Sequence, residues 1–227
     1  METIPTFVTI LFVTATIFTV WQFFNASGKS KTLLIGIGIW MLLQTILSLT
    51  GFYEVRESTP PRFVLLIGPG IIFTALLFLT KRGKAFVDSL DLEKLTLLHT
   101  VRVPVEITLY FVCAAGLIPV LMTFEGNNYD IISGLTAPLI YYLVFASKKT
   151  TKSSLLIWNF LCLGLLINVL VIAILSAQTP FQRLAFDQPN IGVTFFPFVW
   201  LPTVIVPIVL FSHLAAMRLL LTSSLKK

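Results

Sequence analysis

Charge is scarce in this sequence. Only 11% of its 227 residues are Asp, Glu, Lys or Arg, against about 25% in an ordinary soluble domain. A chain so short of polar surface does not read as a water-soluble globule, and a membrane class comes first. Acids are the scarcer sign, 10 against 16 bases for a formal charge of +6. The bases cluster between apolar runs and form no patch of the nucleic-acid-binding kind. Cysteine is limited to Cys113 and Cys162, both inside apolar runs. That excludes a disulfide framework or a cysteine zinc site, and each thiol reads as a small buried hydrophobe.

Histidine is equally sparse, with His99 and His213 alone, and no apolar run contains an aspartate. A histidine-rich hydrolytic metal centre lacks its ligands. The last apolar run, Phe198–Leu221, has no lysine for the Schiff base of a retinal protein. No P-loop, nucleophile elbow or pair of catalytic carboxylates is present. The opening METIPTF carries an acid and no base, so the first apolar run reads as a retained span and not as a cleaved signal. There is no lipidation motif and no convincing internal repeat.

Long apolar runs, by contrast, fill the chain. Windows of roughly 20 residues give seven: Thr6–Phe24, Leu33–Phe52, Phe63–Leu79, Leu95–Phe124, Ile131–Ala146, Leu155–Leu175 and Phe198–Leu221. The expected architecture is all-α, a single domain over residues 1–227 built as a bundle of seven membrane helices. Pro69, Pro104, Pro119, Pro138, Pro202 and Pro207 lie inside these runs. They mark either kinked packing or breaks around a binding site.

The distribution of bases sets the orientation. Twelve lie on one side: Lys29, Lys31, Lys81, Arg82, Lys84, Lys94, Lys148, Lys149, Lys152, Arg218, Lys226 and Lys227. Three, Arg56, Arg62 and Arg183, lie on the other. The N-terminus is therefore expected outside and the C-terminus in the cytoplasm, in a multi-pass protein of the cell membrane. Trp21, Phe23 and Phe24 at one level and Phe195, Phe196, Phe198 and Trp200 at the other agree with aromatic belts. Asp88 or Ser89 can cap the fourth span, whose first turn holds Asp91 and Glu93.

That fourth span carries the main functional candidate. His99, Arg102, Glu106, Tyr110 and Cys113 follow at steps of three and four, which places them on one helical stripe. Ionisable side chains within a span are costly and usually face the bundle interior, where they mark ligand or proton routes. Pro104 lies between Arg102 and Glu106 and frees the carbonyl of Thr100. His99 comes five residues after Lys94, and His213 five before Arg218, so both imidazoles should start roughly 7.5 Å into the membrane from the same side. With Asn159 at similar depth, the candidate binding set is His99, Arg102, Glu106, Tyr110, Asn159 and His213, between spans four, six and seven. The plain alternative is an Arg102–Glu106 pair that neutralises itself, beside two histidines bonded to freed carbonyls.

Three weaker features complete the reading. Glu125, Asn127, Asp130 and Asp187 in two outer connectors have the oxygen chemistry of a calcium site, and equally the chemistry of tight turns. His99 and His213 could ligate one haem, although no attachment motif exists and no cofactor is expected. Gln44, Thr136, Tyr141 and Asn168 read as interhelical glue. The functional expectation is a small-molecule or proton-coupled transporter or a ligand-sensing bundle. A non-catalytic subunit packed against partner proteins is the alternative, and a membrane-embedded enzyme or haem protein a third. The expected surroundings are the lipid bilayer and a small ligand or proton, without nucleic acid; the substrate and oligomeric state are not encoded legibly.

Overall fold

The protein is described by a computed structural model covering residues 4–55, 58 and 60–224. Arg56, Lys226 and Lys227, used above for orientation, lie outside the described residues. Among those described, the chain is all-α with eight helices: α1 Thr6–Ala26, α2 Lys31–Leu49, α3 Val64–Leu79, α4 Lys81–Asp88, α5 Leu92–Ala114, α6 Ile131–Ala146, α7 Lys152–Leu175 and α8 Leu201–Thr222. Five of them, α1, α2, α5, α7 and α8, are long and apolar enough to cross a membrane. The third and fifth apolar runs give the shorter helices α3 and α6.

Local chemistry sets the ends. Gly28 adopts a φ of 67° just after α1, the left-handed conformation that lets Lys29 N–H reach back to Phe24 O at 3.0 Å. Ser30 then caps α2 through the backbone N–H of Leu33. Thr80 ends α3, and its hydroxyl accepts from Gly83 N–H to start α4. The two helices meet at 91°, and the bidentate Asp88–Arg218 pair (2.8 and 2.9 Å) pins α4 across α8. The cap of α5 is Asp91, which accepts from Lys94 N–H, not Asp88 or Ser89.

α5 and α8 form the centre. They bury 50% and 56% of their most apolar stretches, against 11% for α2. α5 packs on α1, α6 and α8, while α8 also meets α3, α4 and α7. α1 runs level with α5: the Phe7 and Phe111 rings meet at 5.0 Å near one end, and Asp91 N–H donates to Ala26 O at the other.

The largest departure from the sequence expectation concerns the fourth and fifth runs. The fourth run is not one helix to Phe124. α5 stops at Ala114, Gly116 follows with a φ of 79°, and the chain folds back along the helix it has just left. α6 then begins beside the middle of α5. Gly134 sits so close to Val103 that an added Cβ would lie 2.8 Å from the Val103 nitrogen and 3.1 Å from the Arg102 Cβ. Val103 is eleven residues from the end of α5, so the first turn of α6 lies roughly 12 to 16 Å inside that end. This is why the fifth run is short.

Candidate functional site

The returning segment after α5 carries its polar side chains into the bundle. Arg102, buried on the inner face of α5, pairs with Asp130 at the head of α6; the two side chains are 3% and 6% exposed. A guanidinium removed from water needs a compensating charge, and Asp130 supplies it. It does so instead of capping its own helix, with Ser133 Oγ donating to the same carboxylate oxygen at 3.3 Å. The Arg102–Glu106 pair expected from i, i+4 spacing is not formed. Glu106, one turn along, is bonded to Asn128, whose amide nitrogen lies 2.8 and 2.7 Å from the two carboxylate oxygens and 3.0 Å from Met122 O. Asn128 Oδ1 accepts from Asp130 N–H at 3.0 Å, which fixes the amide orientation.

α7 and α8 close the other side. Asn159 donates to Leu155 O at 2.9 Å, so its Oδ1 is the acceptor that faces His213 Nδ1 at 2.9 Å. His213 therefore carries its proton on Nδ1 and accepts with Nε2 from Arg102 Nη2 at 3.0 Å. Arg102 also donates to Cys162 O at 3.4 Å. A continuous chain of polar contacts thus runs from α7 through α8 and α5 to α6 and its preceding loop.

His99 lies under this chain. Its ring stacks on His213 with centroids 3.8 Å apart and planes 15° apart, and Trp158 meets its edge at 5.6 Å. Neither His99 nitrogen has a hydrogen-bond partner among the described residues, and the same is true of Arg102 Nε. The two rings face each other across the α5–α8 contact. Stacked face to face at this distance, however, they leave no gap for a haem between them.

A cavity of about 60 Å³ adjoins the chain, lined by the polar side chains of Arg102, Glu106, Asp130 and Asn190 and elsewhere by apolar groups, most of them on α3, α5, α7 and α8. That is room for a few waters, well short of the 300 Å³ or more of a typical ligand pocket.

The structure thus brings together His99, Arg102, Glu106, Asn159 and His213. Tyr110 is not among them: half-buried, it stacks on Phe124 at 5.4 Å. Among the four connector residues considered for a cation, Asp130 is buried against Arg102, whereas Glu125, Asn127 and Asp187 are exposed. Among the described residues no group of three or more His, Cys, Asp and Glu side chains could hold a metal ion. The connectors do form an ordered cap. Asn168 donates to Asn127 O at 2.7 Å, and Gln188 donates to Cys113 O and Ile118 O at 2.9 and 2.5 Å.

Asn128 does not stand out in the sequence, because Gly126-Asn-Asn-Tyr-Asp130 has the composition of a surface turn. A sequence cue did exist: a buried Arg and Glu in one span call for partners, and the connector that follows the span offers Asn127, Asn128 and Asp130. Ser133 and Trp158 offered no signal of their own.

The family model that matches the chain is described as Domain of unknown function (DUF8737), over residues 61–221. The matched segment contains every member of the polar chain. No curated protein and no solved structure matches.

Proposed function

The chain belongs to the family described as Domain of unknown function (DUF8737), and from that premise we propose a proton-coupled membrane protein, a transporter or sensor, with Glu106 as its titrating group. The observation that carries this reading is the water-sized cavity bordered by Arg102, Glu106 and Asp130. Of the two carboxylates there, Asp130 has a cation of its own and Glu106 has an uncharged amide. A proton arriving through the cavity water is taken by Glu106 while the Arg102–Asp130 pair stays ionised. Arg102 joins that event to His213 and Asn159, so a change at Glu106 is felt in α7 and α8.

In this reading the chain crosses the cell membrane seven times, N-terminus outside and C-terminus in the cytoplasm. The twelve-to-three division of bases supports it. α3 with α4, and α6 with the returning loop, act as the two irregular passages; such broken elements are tolerated where they are buried in protein or line a cavity. The charged centre is too confined for a bulky substrate, so the coupled species at this position is the proton.

A second reading, a non-catalytic subunit packed against partners, is favoured by one feature: α2 leaves Gly36 and Gly38 exposed with open space around both. Proton uptake by the purified protein after an acid jump separates the two. Glu106→Gln should take up one proton fewer than the wild type in the neutral range; equal uptake overturns the proton-coupled reading.

A further inference from the structure

α2 and α3 diverge over one face of α8 and leave a groove of about 650 Å³, within the range of sites that hold a small molecule. The polar cavity lies elsewhere and shares none of its lining residues. The groove spans Leu33 to Trp40 on α2 and Thr203 to Phe211 on α8, a length of roughly 12 Å. Its walls are almost entirely apolar. Phe23, Phe86 and Phe211 form an aromatic floor at one end, with ring centroids 5.6 and 6.2 Å from Phe211. Trp40 closes the other end, its indole N–H tied to Thr203 O at 2.9 Å.

Basic side chains lie near the aromatic end. Ser30 and Thr32 line the groove there and flank the exposed Lys31. Arg82, also exposed, is one turn before Phe86 on the same face of α4, and Asp88 of α4 is engaged by Arg218. The site is thus an apolar slot whose mouth is basic.

We infer that the groove seats an acyl chain of an anionic phospholipid from the surrounding bilayer, with its headgroup phosphate at Lys31 and Arg82. Basic clusters at the end of a membrane helix attract anionic lipids, and the charge of this mouth matches that headgroup. The groove covers only about two helical turns, too short to seat a partner helix along its span.

Gly36 provides a direct test, since it lines the groove and a Cβ added there meets no atom within 4 Å. Gly38 has the same free space but does not line the groove. The full chain is reconstituted in bilayers of equal parts phosphatidylglycerol and phosphatidylcholine, extracted in mild detergent, and weighed intact with its retained lipid. Phosphatidylglycerol should be the lipid retained. Gly36→Phe should lose it and Gly38→Phe should keep it. Lys31→Gln with Arg82→Gln should still retain phospholipid, but with its preference for the anionic form reduced by roughly fivefold per base removed. Wild-type protein without lipid, retention undiminished in Gly36→Phe, equal retention of the two lipids, or a lipid-free dimer would each overturn the inference. None of these outcomes bears on Glu106.

Discussion

The His99 and His213 rings lie face to face, 3.8 Å between centroids, yet only His213 is hydrogen-bonded. The two imidazoles are therefore unequal in what they contribute. Replacing His213 by Leu strands Arg102 Nη2 and Asn159 Oδ1 in the interior, and each stranded group costs about 1 to 3 kcal/mol. Replacing His99 by Leu strands nothing and should change stability by less than about 1.5 kcal/mol. Thermal unfolding in detergent compares them; equal losses would contradict the bonding pattern.

The Arg102–Asp130 pair makes the next prediction. Asp130→Ala leaves a buried guanidinium without its counter-charge and should cost about 3 to 5 kcal/mol. Adding Arg102→Met to Asp130→Ala should recover part of that loss. A double variant no better than the sum of the singles would show that the pair is not coupled.

How far the sequence revealed this site can be judged from these residues. Hydropathy located the other helices to within a few positions, apart from the end of α5, but not α4, whose charged sequence reads as a connector; the three-and-four stripe found His99, Arg102 and Glu106. Depth markers at Lys94 and Arg218 brought His213 to the same level. The partners were not legible. Periodicity describes one helix at a time, whereas Asp130 and Asn128 reach the site only because the chain doubles back after Gly116. Apolar Leu117, Ile118 and Met122 read as a continuation of the span, since a returning segment buried in the bundle is as apolar as a helix there. Spacing alone then favoured Glu106 for Arg102, and tertiary packing gave it Asp130.

Tyr53, in the loop after α2, donates to Gln44 Oε1 at 2.6 Å with both side chains buried. Tyr53→Phe should cost about 1 kcal/mol or somewhat more, because it leaves a buried acceptor unpaired. Burial pushes the phenol above its ordinary value of 10.0, against the opposing effect of the Gln44 bond. The sign follows from linkage: this contribution to stability is complete below pH 10.0 and is lost as pH rises through the raised value. The alkaline loss of melting temperature should be smaller in Tyr53→Phe; an identical alkaline limb would contradict it.

Orientation is tested by access. A single cysteine at Asp187, an exposed position beside Gln188 at the end of α5, in a background lacking Cys113 and Cys162 should react with an impermeant thiol reagent applied from outside. One at Lys149 should react only after the membrane is opened. The reverse pattern would invert the topology and every depth derived from it.

The central claim is that Glu106 exchanges a proton while Asp130 does not. Infrared difference spectra of the purified protein, taken across the neutral pH range, record a protonated carboxyl directly by its carbonyl stretch. The account predicts a carbonyl band that grows on acidification, vanishes in Glu106→Gln and persists in Glu125→Gln, a change at an exposed acid of the same loop. A band that survives in Glu106→Gln, or no band in the wild type, would contradict it.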